Sequence, residues 1–297
     1  MLREFTRERP RRSSLISPGS DWVLLKKQTG SEADIVVLEL EDAVHPSLKE
    51  KARKLVVKAL GELDYGNREV QVRINGFGTP WMDDDIAMVV PQNPHMLKMP
   101  KAENEDDIKK VSELIERAES KAGLPIGCVK LMLNIESAWG VINVEKLALC
   151  DSRIVGLGIG SEDMMAALRA QRSRDGLELL YVQGKILMAS RAAGLFCIDR
   201  VYPQVYDLEG LRHDTKISVQ LGFDGKNVIS PRQVPIVHEV YMPTEEEISS
   251  ARRIIKTFEE STAANEAVCV VDGKMIDRPL YIQAKNVMLR SGQIDFN

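Results

Sequence analysis

Short β-branched runs alternate with longer helix-like stretches about eight times along this chain of 297 residues, and nothing else in it restricts the fold as much. The strand-like runs are SSLIS (13–17), DIVVLELE (34–41), REVQVRIN (68–75), HMLKMP (95–100), CVKLMLNIE (128–136), RIVGLGIG (153–160), GLFCIDRVY (194–202) and GKNVIS (225–230). The second is apolar almost to its end, as a parallel strand covered on both faces must be. Between the runs, Leu48, Ala52, Leu55, Val56 and Leu60 recur at helical spacing behind Pro46, in the first turn. Thr79 reads as the N-cap of a helix with Pro80 in its first turn, and 103–121, 162–171 and 177–192 read as further helices. Parallel strands with crossover helices follow. Eight such units suit the roughly 250 residues of an α/β (β/α)₈ TIM barrel.

A doubly wound open sheet is the competitor, and it predicts a G-x-G-x-x-G turn after an early strand. Here the glycines Gly156, Gly158 and Gly160 come late and lack that spacing. The barrel is therefore expected over 1–243. Residues 244–297 are expected as a C-terminal helical extension and lid: a helix over 244–260, a short strand AVCVV, a tight turn at Asp272-Gly273, and a helix from about 278 to 290. That tail shows too little apolar surface for a core of its own, so it is expected to dock on a barrel mouth, its own or a neighbour's.

Composition narrows the function classes. With 44% apolar and 28% charged residues, the chain is not wholly disordered. A formal net charge of −4 offers no footprint for nucleic acid. No run approaches the roughly 18 apolar residues of a membrane span. Cys128, Cys150, Cys197 and Cys269 are far apart and form no C-x-x-C pair, so they read as reduced thiols of an intracellular protein. The arginine-rich start lacks the apolar stretch of a signal peptide, and Glu4 and Glu8 argue against a transit peptide. A cytoplasmic chain is expected. The start reads either as a solvated basic lead-in or, more sharply, as a phosphate contact from Arg11 or Arg12 for a nucleotide-containing ligand.

In a barrel of this kind the chemistry sits at the C-terminal strand ends. Those ends carry Pro18-Gly19-Ser20; Glu39, Glu41 and Asp42; Arg73 and Asn75; Lys98 and Lys101; Glu136; and Glu162 and Asp163. Arg73 and Glu136 emerge from apolar strand patterns, where a charge is costly unless paired or ligated. Glu136 and Asp163 end consecutive strands and can reach a common point. Two carboxylates without a histidine or cysteine nearby suit a hard ion such as Mg²⁺, with open positions for water and substrate oxygens. The alternatives are a salt bridge or helix cap for Glu136 and a dipole-stabilised first-turn acid for Asp163. His45, His95, His213 and His238 are scattered without ligand spacing, which argues against zinc. Arg73 offers a planar, permanently charged fork to a substrate carboxylate or a developing oxyanion, or else pairs with Glu39 or Glu41. Lys98 raises a rival chemistry, a Schiff base.

The motifs RRSSLISPGSD (11–21), DIVVLELEDAVHP (34–46), VRING (72–76), MLKMPKAE (96–103), LNIESAWGVIN (133–143), GLGIGSEDM (156–164), GFDGKNVISPRQV (222–234) and VVDGKMIDRPLYIQA (270–284) run through nearly the whole chain. With them the chain resembles the citrate lyase β-subunit-like proteins, within the wider malyl-CoA lyase group of Mg²⁺-dependent aldolases. The resemblance implies a (β/α)₈ barrel in trimers or hexamers. It implies Glu136 and Asp163 as Mg²⁺ ligands, Arg73 as the residue that binds substrate oxygens and stabilises the enolate, and Glu41 and Asp42 as catalytic acids around the mouth. It implies substrate or CoA contacts from Arg12, Ser20, Gly160 and Ser161, and a lid aspartate, Asp277, often brought from the next subunit. The implied reaction is cleavage or formation of a 3-hydroxyacyl-CoA such as malyl-CoA or citramalyl-CoA, giving acetyl-CoA and a 2-oxo acid, with thioester hydrolysis where water captures the product. A citrate lyase β subunit working on an acyl-carrier-protein thioester is the nearest alternative, and a non-catalytic acyl-CoA- or metal-binding scaffold the more distant one. Two positions depart from the family pattern: Ser230-Pro231 stands where histidine-proline is common, and Glu39 where aspartate is.

Overall fold

Eight parallel strands close into a barrel in the computed structural model, which describes residues 3–7 and 9–292. They are β1 (Ser13–Pro18), β2 (Ile35–Glu39), β3 (Glu69–Arg73), β4 (Met96–Met99), β5 (Lys130–Ile135), β6 (Ile154–Ile159), β7 (Phe196–Asp199) and β8 (Gly225–Val228), with β1 pairing both β2 and β8. Helices α1 (Trp22–Gln28), α2 (Lys49–Glu62), α3 (Met82–Val89), α4 (Glu105–Ala122), α5 (Ala138–Leu149), α6 (Ser161–Leu168), α7 (Leu180–Ala192) and α8 (Leu208–Leu221) alternate with them, and α9 (Gln233–Tyr241) follows β8.

Two apolar layers explain the near-continuous hydrophobicity of the strands. Val36, Leu38, Val70, Val72, Leu97, Leu131, Leu133 and Leu157 face outward and pack with helix residues such as Val56, Ile86, Ile115, Val144 and Ile186. Ile35, Val37, Met96, Met132, Phe196 and Ile198 form a separate cluster. Side chains alternate across a strand, so Glu39 shares a face with Ile35 and Val37, Lys98 with Met96, and Glu136 with Met132. Register then sets Glu39 beside Arg73 and Arg73 beside Lys98. The inner layer thus turns from apolar to charged toward the C-terminal ends of the strands.

Local boundaries differ from the sequence expectations at several points. The helix after β3 starts at Met82 with Trp81 as N-cap, and the Thr79 hydroxyl instead donates to the Gly76 carbonyl at 2.8 Å, closing the preceding turn. Pro46 opens a short 3₁₀ turn (Pro46–Leu48), and α2 begins at Lys49. Strand 7 ends at Asp199, three residues short of its apolar-looking run. There Arg200 turns away to pair with Asp214, while Asp199 is buried against Lys226, Ser218 and Gln183.

The chain divides into two compact units. One holds the barrel and runs from Arg11 to Val237, with the segment up to Phe5. The other comprises Thr6–Pro10 and the chain from His238 onward. The second unit contains α10 (Glu245–Ala263), the antiparallel strands β9 (Cys269–Val271) and β10 (Lys274–Ile276), and α11 (Arg278–Ser291). A capping box between Thr244 and Glu247 starts α10. This unit has a small core of its own, contrary to the expectation from the tail alone. Ile248 and Ala251 of α10 pack with Ala284 and Met288 of α11, and Cys269, Val271 and Ile276 pack with Phe258.

No helix of the described residues is long and apolar enough to cross a membrane.

Candidate active site

The C-terminal ends of β2, β3, β4 and β5 deliver a connected set of charges. Arg73 donates its Nε to Glu39, and its Nη1 lies 3.4 Å from Glu41 Oε2. Lys101, just past β4, reaches Glu41 at 2.8 Å and Asp42 at 3.5 Å. Glu39 and Glu41 are buried, whereas Asp42 is exposed. Burial works against the charge on Arg73, but the carboxylates of Glu39, Glu41 and Glu136 outweigh it and hold its pKa above the ordinary guanidinium value. Lys101 is raised in the same way, mainly by Glu41 against desolvation. Burial pushes Glu39 up, and the Arg73 guanidinium pulls it back. Arg73 is therefore a fixed cation, oriented by two carboxylates, with one edge of its fork anchored.

Glu136 follows β5 and is buried. The Asn134 amide donates to its Oε1, and its Oε2 is buried without a hydrogen-bond partner. Two glycines of β6 and its end make room for this pair. A Cβ on Gly158 would lie 2.6 Å from Asn134 Oδ1, and one on Gly160 would lie 2.3 Å from Glu136 Cγ. Gly160 also N-caps α6, whose first turn carries Asp163. Desolvation pushes Glu136 up to about 7, with Arg73 pulling down and Glu41 and Asp163 adding to the rise.

Arg73 and Lys101 are taken by Glu39, Glu41 and Asp42. Glu136 and Asp163 form no ion pair among the described residues. One buried, half-satisfied carboxylate and a second in a helical first turn, both without a cation, fit a divalent ion bound through oxygen. Among the described residues no three His, Cys, Asp or Glu side chains converge as a metal cage. An ion held by this pair would need its other oxygens from water and substrate, as Mg²⁺ sites commonly do.

The remaining residues fall as follows. Ser20 sits in the turn after β1, half-buried, and Ser161 opens α6 with its hydroxyl on Glu162 at 3.1 Å. Both are at C-terminal strand ends. Arg12 is not: it precedes β1, and its backbone and guanidinium are both held by Asp34 (2.8 and 2.9 Å) at the N-terminal end of the barrel. The phosphate contact expected from Arg12 therefore does not belong with this set. Arg11 is buried there too, paired with Glu69, its guanidinium 4.9 Å from the Phe5 ring centroid and 4.5 Å from that of Phe196. Asp277 lies in the second unit, where its Oδ1 accepts from Leu280 N at 3.2 Å and caps α11. Lys98 is fully buried in the barrel interior. Its Nζ donates to Asn227 Oδ1 at 3.1 Å, and burial, with Arg73 close by, pushes it down to about 8. Asn134 and Asn227 were not singled out in the sequence. The polar break each makes in an apolar strand was the available signal.

The model for HpcH/HpaI aldolase/citrate lyase matches residues 12–231. The chain belongs to that family. Among aldolase/citrate lyase relatives, the citrate lyase subunit beta of Leuconostoc mesenteroides subsp. cremoris is 39% identical over 281 residues, covering 95% of this chain and 93% of the relative. A (3S)-malyl-CoA thioesterase of Cereibacter sphaeroides (strain ATCC 17025 / ATH 2.4.3) is 35% identical over 285 residues, covering 96% of each. The barrel and extension also match the solved structure of CitE from Mycobacterium tuberculosis in complex with magnesium, acetoacetate and coenzyme A. There the TM-score is 0.76 at 27% identity, over 97% of this chain and 100% of that one. The relatives are lyase and thioesterase enzymes by name, and the fold is the TIM barrel of the family.

Proposed function

We propose that this family member is a Mg²⁺-dependent carbon–carbon lyase that cleaves, or forms, a 3-hydroxyacyl-CoA such as malyl-CoA or citramalyl-CoA. The observation that carries the reading is the contrast at the strand ends. Arg73 is anchored on Glu39 and Glu41, while Glu136 and Asp163 are left without cations. Glu136 and Asp163 would hold the ion. When bound, Mg²⁺ supplies Lewis acidity to the hydroxyl and carboxylate oxygens of the 2-hydroxy acid half.

The chain's own residues do the rest. Glu41 and Asp42 keep the mouth acidic and accept the hydroxyl proton as the carbon–carbon bond breaks. Arg73 donates N–H groups to the thioester oxygen as the acetyl enolate develops, a charge that burial makes worth stabilising. Asp277 returns a proton to the enolate carbon. One proton leaves oxygen and one arrives at carbon, so malyl-CoA gives acetyl-CoA and glyoxylate with no redox partner. Gly160, Ser161 and Ser20 line the approach with backbone and hydroxyl groups. The enzyme works as a homo-oligomer, trimer or hexamer, with Asp277 supplied by a neighbouring chain.

A second reading is a citrate lyase β subunit acting on a carrier-protein thioester, and the 39% identity to such a subunit favours it. The deciding experiment incubates purified protein and Mg²⁺ with malyl-CoA, citramalyl-CoA and a citryl carrier-protein thioester, and follows 2-oxo acid and thioester products by mass spectrometry. Glyoxylate or pyruvate with acetyl-CoA supports the CoA lyase. Oxaloacetate from the carrier thioester alone supports the second reading, and free thiol with intact malate identifies a thioesterase. Mg²⁺ binding with no turnover of any thioester favours a scaffold.

A further inference from the structure

Helices α3 and α4 lie side by side on the barrel without closing the gap between them. A cavity of about 380 Å³ opens there, lined by Ile86, Ala87 and Pro91 on one side and Leu114, Ala118 and Ala122 on the other. Its floor is core: Ile86 and Ala118 are buried, and Leu114 packs against the same cluster. The gap stays open because small side chains border it on both sides. Ala87, Pro91 and Ala122 are exposed, and larger residues there would fill it. Toward the C-terminal end of the barrel the cleft continues past Phe77 and Thr79, sharing Asp83, Leu114 and Arg117 with the first cavity.

Cations line one wall. Lys110, Leu114, Arg117 and Lys121 follow one another at steps of four, three and four residues, so they share one face of α4. Lys110 leans across the cleft, its Nζ 5.4 Å from the centroid of the Phe77 ring. Arg117 has only a long contact, 3.6 Å, to exposed Glu113. Lys121, in the last turn, forms no ion pair among the described residues. Around the first cavity these two cations stand against a single carboxylate, Asp83.

We propose that this cleft binds a straight-chain fatty carboxylate, with its alkyl chain on Ile86, Leu114 and Ala118 and its carboxylate on Arg117 and Lys121. The volume falls in the roughly 300–1,000 Å³ range of small-ligand pockets. From Lys110 to Lys121 the trough runs about 16 Å at 1.5 Å per residue, while packed helices stand only about 8–10 Å apart. That suits an extended chain and excludes a helix, which is about 10–12 Å across with its side chains. The apolar floor disfavours a strongly hydrated anion such as phosphate, and the cations disfavour a neutral lipid, which leaves their charge unmatched. The site shares no residue with the charged strand ends, so it stands apart from the lyase reading and its test does not depend on turnover.

The test uses the full-length protein and dodecanoate below its micelle concentration. Calorimetric titration should show one saturable site per chain. Ala87→Trp fills the trough from an exposed position, and Arg117→Glu/Lys121→Glu reverses the charges that meet the carboxylate, also at exposed positions. Each should weaken binding at least ~10-fold, the scale of losing one charge-assisted hydrogen bond, with native circular dichroism and melting temperature. Dodecanol, which keeps the chain and drops the charge, should bind at least ~10-fold more weakly to the native protein. A photoactivatable dodecanoate crosslinked to the native protein needs no variant: its adducts should map to peptides within 77–91 and 110–122. No saturable binding, native affinity in either variant, dodecanol binding as tight as dodecanoate, or adducts confined outside those peptides each overturns the proposal.

Discussion

Asn134 donates its side-chain amide to one oxygen of Glu136 and leaves the other, Oε2, buried and without a partner. A buried carboxylate oxygen in that state costs free energy unless something completes it, and its pKa of about 7 registers the strain of burial. The Asn134–Glu136 pair also depends on missing side chains, since Gly158 and Gly160 leave the space it occupies.

Gly160→Ala should therefore damage metal binding without unfolding the barrel. Its Cβ would fall 2.3 Å from Glu136 Cγ and 2.6–2.8 Å from the carboxyl group, which must move. Glu136→Gln and Asp163→Asn should lose the ion through charge instead. Calorimetric titration with Mg²⁺ should show at least ~10-fold weaker binding in all three, in line with losses seen when a metal site's supports are removed. Native affinity in both carboxylate variants would remove these residues from the metal site.

Arg73 gives a second expectation. Lysine keeps the charge and loses the planar fork held between Glu39 and Glu41. Arg73→Lys should lower kcat by ~100-fold or more, the scale of losing one oxyanion donor, with a smaller effect on KM. Wild-type turnover would reduce Arg73 to a structural partner of Glu39.

Most of the barrel was legible because parallel strands buried on both faces announce themselves as apolar runs. All eight appear where the runs lie: β1 runs one residue longer, and the other seven are trimmed by one to three residues at one or both ends, as at Arg200. The helices were less legible. α1, α5, α8 and α9 follow short loops and carry mixed patterns; on α5 an apolar outer face blurs the periodicity that would mark it. The charged strand ends stood out, since Arg73 and Glu136 interrupt apolar strands. Arg12 lies apart from that set: the sequence shows that a charge precedes the first strand but not that Asp34 pairs with it there.

Lys98 tests the rival chemistry. Burial brings it to about 8, a range in which a lysine can act as a nucleophile, yet its ammonium is fully enclosed and bound to Asn227. Borohydride added during turnover with a 2-oxo acid should leave the protein mass unchanged. A stable mass increase mapped to Lys98 would establish a Schiff-base aldolase in place of the metal mechanism.

The buried network at the end of β7 carries a pH-dependent share of stability. Burial tends to raise Asp199, but Lys226 and Arg200, with hydrogen bonds from Ser218 and Gln183, outweigh it and hold the pKa below the ordinary aspartate value. A carboxylate depressed on folding contributes stability that is present above its unfolded pKa, near 4, and is lost as pH falls through the folded value. Asp199→Asn should cost about 3 kcal/mol at pH 7, the scale of breaking a buried pair, and the gap to wild type should shrink as pH drops below about 4. Denaturant melts at pH 7, 5 and 3 check this; a gap that stays constant with pH would mean the carboxylate is not the source.

Asp277 has two separable duties, one seen and one proposed. Its carboxylate caps α11 through Leu280 N, and the proposed mechanism also asks it to protonate the enolate carbon. Asparagine caps a helix about as well as aspartate, whereas alanine costs about 1 kcal/mol. Asp277→Asn should keep the thermal stability of wild type and native Mg²⁺ affinity while losing turnover, and Asp277→Ala should lose both turnover and some stability. If Asp277→Asn stays active, the residue is a cap and nothing more. If it is inactive, mixing decides whose barrel it serves. Co-refolding Asp277→Asn with the equally inactive Glu136→Ala would build some sites from an intact Glu136 of one parent and an intact Asp277 of the other. Recovered turnover in verified mixed oligomers means the aspartate crosses between chains. No recovery means each lid serves its own barrel, because every site then keeps one of the two lesions.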